Sequence, residues 1–356
     1  MFPRRIILTA IAVSAVPLAL GCGNHDEHGG TGTLGAPVKG GLGVQGTALF
    51  VALGKTGEVA VIDVANWRLA GKVKVADKFY PHHLGLSPDR TRVALGAPGN
   101  DLSAGHGDHS AGARSGAIFI IDSRTGDVLA QKTVAGTAHN LAFLPDGNAV
   151  VYALAEHGML HIANASTLAD TGSVPVGASP LEATPTGAGG VVLVSNSGAG
   201  TITAVDTTTK QVTKSIAVGM NPIAAWLGVG GRALVTSEAD RKLSVLDLTS
   251  LSMAATATLD GVPGQAAHTM DGKQIWVALE DKGKVAILDA ADLKPAGEVV
   301  VAQRPHGLAL STTGSSFFLT DENGGKVFEL DIARREVLRS LDVGGAPNGI
   351  LLRPAL

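Results

Sequence analysis

The chain has 356 residues, only 17% of them charged, a formal net charge of −3 and 47 glycines. With no basic run beyond Arg4-Arg5 it offers nucleic acid no electrostatic footprint, so no nucleic-acid partner is expected. Clusters of Asn, Asp, Gly, Ser and Thr between short Val/Ile/Ala runs describe many short strands and tight turns, the composition of an all-β chain.

The first 22 residues read as an address rather than as part of the fold. Arg4 and Arg5 precede an apolar run, Ile6 to Leu20, that is too short to span a bilayer comfortably and ends in Leu18-Ala19-Leu20-Gly21-Cys22. Small residues before a cysteine resemble the bacterial lipobox. Cys22 is therefore expected to carry lipid and become the mature N-terminus, a plain secretion signal being the alternative. As the single cysteine it rules out a disulfide framework. The expected location is the periplasm or cell envelope, with membrane contact through the anchor. Residues 23–45 follow, rich in Gly and carrying Asn24-His25-Asp26-Glu27-His28. Such a segment cannot bury enough apolar surface to fold alone and is expected to be a flexible tether. The folded domain then covers residues 46–356.

Within it one aspartate recurs after a short apolar strand: Asp63, Asp122, Asp206, Asp247, Asp289 and Asp331, with Asn164 in the third copy. The intervals are 59, 42, 42, 41, 42 and 42 residues. Units that bury their faces only against neighbours give this signal, and seven of them predict a seven-bladed β-propeller of four-stranded antiparallel blades. The last copy, Ala346-Pro347-Asn348-Gly349-Ile350-Leu351, ends the chain. Its strand is expected to close the ring as the innermost strand of the first blade, whose outer strands lie between Thr47 and Val75, so that no long edge stays open. The recurring aspartates read as turn caps. Val205-Asp206-Thr207 with Val218-Gly219, and Pro305-His306-Gly307-Leu308, resemble the YVTN or surface-layer type of propeller over residues 47–356. That resemblance implies an architecture rather than an activity.

Function is sought where the repeat departs from itself. The long interval holds about 17 extra residues, among them His106, Asp108 and His109, between the Val93-Ala94-Leu95 and Ala117-Ile118-Phe119 strands. A long insertion in one blade of a regular array usually marks a binding face. Aligning the innermost strands puts His82, His139 and His306 at one position, where the other copies have Leu181, Ile223, Gly264 and Asn348, with His83 alongside. Around the closed ring the order is His306, Asn348, His82, His139. The links into the innermost strands share a face with the links between second and third strands, which carry the insert, Glu156-His157, Glu238, Glu280-Asp281 and Asp321-Glu322. Three imidazoles plus a carboxylate or water suit a tetrahedral zinc ion, and the lack of further cysteine argues against a thiolate site. Pro-His-Gly also belongs to the repeat, so any one such His alone reads as a turn residue. His161 and His268, and Trp67, Trp226 and Trp276, read as packing residues.

The exported propeller, the histidines at its channel mouth and the His/Asp/Glu tract together resemble the AztD-type periplasmic zinc metallochaperones. That resemblance implies a Zn2+ site with His82, His139 and His306 as ring ligands and Asp108 or Asp26 as carboxylate. It also implies His25, His28, His106 and His109 as capture or transfer ligands, and hand-over to a zinc-specific solute-binding protein of an ABC transporter. No catalytic role and no organic cofactor are expected, because no Ser/His/Asp motif, phosphate loop or haem-attachment motif is present. Two alternatives stand beside this: a metal-free, lipid-anchored interaction propeller, and a propeller hydrolase or lactonase with a base such as Glu156.

Overall fold

The computed structural model describes residues 34–75, 77–102, 115–187, 190–301 and 303–356. They form seven antiparallel sheets of four strands each, arranged as a seven-bladed β-propeller. Blade 1 takes its innermost strand, Pro347–Arg353, from the end of the chain and the other three, Ala48–Leu53, Glu58–Asp63 and Arg68–Lys74, from the start. Ala48 stands opposite Arg353 and Leu49 opposite Leu352, so the ring closes as the truncated last repeat requires. Blades 2 to 7 follow in chain order, their innermost strands being Leu84–Leu86, Ala142–Phe143, Pro180–Pro185, Pro222–Leu227, Pro263–His268 and Pro305–Leu310.

Each blade is covered on both faces by its neighbours, so its inner strands read as continuous apolar runs rather than as alternating ones. Ala48–Leu53 is buried at every position, whereas the outer strand Gln211–Ala217 buries only Ile216. An apolar cluster fills each gap between blades: Val59, Val61, Val93, Leu95 and Phe119 between blades 1 and 2, Trp276, Ile287, Phe317 and Leu319 between blades 6 and 7. Each fully buried side chain of this size contributes about 1.5–3 kcal/mol relative to exposure.

The recurring aspartates cap the turn between third and outer strands. Asp122 Oδ1 accepts from the amides of Arg124 (2.8 Å) and Thr125 (2.9 Å), Asp206 Oδ1 from Thr208 and Thr209, and Asn164 Oδ1 from Ser166 and Thr167. Four residues after each cap the backbone turns left-handed: Trp67, Gly126, Leu168, Lys210, Leu251, Leu293 and Arg335 all have positive φ. In six of these seven turns a residue with a Cβ takes that conformation, which costs of order 1 kcal/mol, and the Asx hydrogen bonds offset it.

Part of the segment expected as a tether is held against the propeller. Gly35 O accepts from Gln131 Nε2, Val38 O from Val128 N, and Leu42 N and Val44 N donate to Thr125 O and Arg124 O. Leu34, Val38 and Leu42 pack on the cluster between blades 1 and 2. The fully buried Arg353 donates from Nη2 to the carbonyls of Val44 (3.0 Å) and Gly46 (2.6 Å). Residues 34–46 thus form a strap from the rim of blade 2 to the seam of the ring.

Candidate metal centre

The innermost strands of blades 4 to 7 begin with a bulge, and the bulge helps to build the channel lining. Pairing with the second strand skips from Pro180 to Ala183, Pro222 to Ala225, Pro263 to Ala266 and Pro305 to Leu308. Two consecutive residues per blade are thereby freed from the ladder and re-aimed. In blades 4 and 7 these pairs are Leu181-Glu182 and His306-Gly307. The matching residues of blade 2 are His82-His83, and those of blade 3 are His139-Asn140.

His82, His83, His139 and His306 converge there and are all buried, at 2%, 5%, 0% and 2% exposure. Ring centroids of His82 lie 4.6 Å from His83, 4.0 Å from His139 and 5.7 Å from His306; His83 lies 5.0 Å from His139 and 5.6 Å from His306. Two imidazoles on one tetrahedral zinc, with Zn–N near 2 Å, place their centroids about 5 Å apart, so the spacing fits. Ligand atoms of His82, His83 and His306 form one group and those of His83, His139 and Glu182 a second, each within 4.8 Å. His83 is common to both. The sequence alignment joins His82, His139 and His306, whereas the structure groups the histidines around His83 and brings in Glu182.

Glu182 is the residue that sequence reasoning missed. It is 2% exposed, and its Oε1 faces Nδ1 of both His83 and His139, the latter at 2.8 Å. Burial alone would raise this carboxyl; the charge and hydrogen bonds of the two imidazoles outweigh it and hold the pKa at about 2. An ionised carboxylate only accepts, so both imidazoles donate Nδ1–H to it, and in their neutral form they keep the lone pair on Nε2. His83 Nε2 is buried and makes no hydrogen bond among the described residues. A carboxylate fixing the far nitrogen is the usual support of a metal-ligating histidine.

Backbone contacts within blade 2 and between blades hold the cluster in place. His83 N donates to His139 O, His82 N to Gly96 O, and Gly349 N to His82 O. A Cβ on Gly349 would stand 2.2 Å from His82 O, so this close approach requires glycine. Gly349→Ala is expected to destabilise the fold by about 1–3 kcal/mol and to weaken metal binding by displacing His82 and His83. Thermal unfolding with and without Zn2+ checks both.

On the face where the innermost strands begin lies a cavity of about 460 Å³, lined by Glu238, Glu280, Asp281, Gln303, Arg304 and Asn323 among others. Toward the other face a chamber of about 410 Å³ is lined by His83, Glu182, Thr184, Gln265 and Trp226, whose ring meets His83 edge-on at 5.5 Å. Trp226, expected as a blade filler, thus borders the channel, while Trp276 is fully buried between blades. Glu156 accepts from Thr137 N and Oγ1, both at 2.7 Å, and so braces the link that carries His139. His161 stacks on Tyr152 in blade 3, away from the cluster.

Cys22, His25, Asp26, His28, His106, Asp108 and His109 lie outside the described residues. The chain leaves the second strand of blade 2 at Ala97 and returns at Gly116.

With this geometry in hand, comparison with known structures addresses the fold. The chain is similar to the Pseudomonas aeruginosa periplasmic gluconolactonase PpgL (TM-score 0.68, 18% identity, 87% of this chain and 99% of that one). It is equally similar to a putative 6-phosphogluconolactonase from Bacteroides fragilis (TM-score 0.68, 15% identity, 86% and 98%). A functionally unknown protein from Desulfotomaculum acetoxidans superposes with TM-score 0.69 at 13% identity over 87% and 99% of the two chains. The likeness is one of fold. No protein-family model and no curated protein sequence matches the chain.

Proposed function

We propose that this chain is an exported, lipid-anchored metal-binding propeller that holds a divalent transition-metal ion, zinc in the first instance, at the histidine cluster of its channel and passes it to a transport partner. The observation that carries the reading is the convergence of four buried imidazoles with Glu182 holding two of them by Nδ1. Metal-free packing gives no reason to bury so many imidazoles in one channel, because each brings polar nitrogens that must be satisfied there. His82, His83, His139 and His306 supply the ligands, and Glu182 sets the tautomers. Asp108, His106 and His109 of the insert, and His25, Asp26 and His28 of the N-terminal segment, serve capture or release. A zinc-specific solute-binding protein is the partner that the resemblance to AztD-type chaperones suggests, and no catalytic step is assigned.

Zinc titration of the fragment beginning after Cys22, beside a His82/His139/His306 triple alanine variant, tests the reading. Stoichiometric binding is expected in the parent and not in the variant. Ligation needs neutral imidazole, so affinity should fall between about pH 7.5 and 5.5. A flat profile, or equal binding by both proteins, removes the histidines from the function.

A second reading is favoured by the chamber beside His83 and Glu182: a bound metal there could polarise a small ester or lactone. Turnover of such substrates that depends on added Zn2+ would support it over the carrier role.

A further inference from the structure

At the mouth of the channel a half-buried cation, Arg304, sits between two buried carboxylates. Glu280 and Glu322 are 5% and 3% exposed. Arg304 lies between them, its Nη2 2.8 Å and Nε 3.2 Å from Glu280 Oε2 and its Nε 3.1 Å from Glu322 Oε2. Burial works against the guanidinium charge, yet the two carboxylates outweigh it and raise its pKa above the ordinary value. The other oxygen of Glu280 is 3.7 Å from His306 Nε2. Glu322 Oε1 accepts from Asn348 Nδ2 at 2.8 Å. Asn348, 2% exposed, occupies the ring position between His306 and His82, and its Oδ1 makes no hydrogen bond among the described residues. An unbroken line of donors therefore runs from the 460 Å³ cavity through Glu280 and Glu322 to His306.

A fold gains little from this arrangement. Desolvating each ion costs several kcal/mol, and apolar side chains of similar volume often stabilise as well. The backbone of Arg304 is fixed independently, its amide donating to Asp321 Oδ1 at 2.8 Å. The side chain is 17% exposed and borders the cavity. It can swing out while the strand start stays in place.

We infer that Arg304 is a displaceable internal counter-ion: a divalent cation entering the mouth takes the place of its guanidinium between Glu280 and Glu322, with Asn348 Oδ1 as a further oxygen donor, and moves from there to His306. The inference rests on the histidine cluster being a divalent-metal site. A divalent ion brings twice the charge of the guanidinium to the same carboxylates, whereas the empty pair, left without either, would be two buried like charges. Arg304 thus holds the pathway closed to monovalent ions and open to divalent ones.

The test compares Zn2+ uptake by the wild type, Arg304→Met and Glu322→Gln in equilibrium dialysis and stopped-flow binding. Arg304→Met should take up a second, weaker equivalent of Zn2+ absent from the wild type, and its thermal midpoint, lowered without metal, should rise more on adding Zn2+. Glu322→Gln should slow Zn2+ association by about tenfold or more and slow release in step, because it acts on the path in both directions. If Arg304→Met does not fold, the paired rate changes in Glu322→Gln decide. A single equivalent in Arg304→Met together with wild-type rates in Glu322→Gln overturns the role of Arg304 alone. A wild type that takes up no zinc overturns the reading of the histidine cluster, and this inference with it.

Discussion

His83→Ala is expected to abolish more zinc affinity than loss of any other single imidazole. His83 belongs to both groups of potential ligands, His82–His83–His306 and His83–His139–Glu182. Removing it takes a member from both, whereas His82→Ala or His139→Ala leaves His83 in place with its carboxylate and with at least one further imidazole of these groups. The expected loss is about a thousandfold, or ~4 kcal/mol, against tens of fold for the other two. Competition with a chromophoric chelator reads the difference, and His161→Ala, on the Tyr152 side of blade 3, is the control. Equal affinities for His83→Ala and His161→Ala would place the metal elsewhere.

Glu182→Gln should separate two pH dependences that the wild type combines. Its carboxyl is held at about 2 against an ordinary 4.5. A depressed carboxylate contributes stability that is fully present above the ordinary value and is lost as pH falls through the folded one. Wild-type stability should therefore decline between about pH 4.5 and 2, by an amount of order 3 kcal/mol. The Gln variant should be less stable at neutral pH and nearly flat across that window. Its zinc affinity should fall by about 10–100-fold, the usual effect of removing the carboxylate that orients a ligating histidine. Urea unfolding across pH and zinc titration at neutral pH measure the two separately. An unchanged zinc affinity would reduce Glu182 to a structural counter-charge for the imidazoles.

The architecture was legible because a repeat writes it many times over. The spacing of Asp63, Asp122, Asn164, Asp206, Asp247, Asp289 and Asp331 carries the blade count, and the truncated last copy carries the closure through Pro347–Arg353. The histidines were legible for the same reason, since His82, His139 and His306 occupy one position of the repeat. Glu182 was not. An alignment assigns one channel-facing position per blade, and in blade 4 that position is Leu181; the bulge after Pro180 admits the next residue as well. His83 is likewise the residue after the aligned one, His82. One signal was available, the pairing of a second polar residue with the aligned one in His82-His83 and His139-Asn140. Arg304 was hidden for another reason: its partners Glu280 and Glu322 come from the links of blades 6 and 7, and only the ring brings them to one point. The docking of residues 34–46 depends on Gln131, Val128 and Arg353, which no local composition reveals.

That strap has a mechanical consequence. A propeller whose first blade is stitched from both chain ends is weakest at its seam, and a chain tethered by its N-terminus would pull on that seam directly. Here a pull arriving at residue 34 meets Gln131, Val128, the Lys39–Asp127 pair and Thr125 first, all on blade 2. Only after these yield would load reach Arg353 and the Ala48–Leu53 strand. The strap would thus work as strain relief, turning a pull from its N-terminal side into shear along one intact blade.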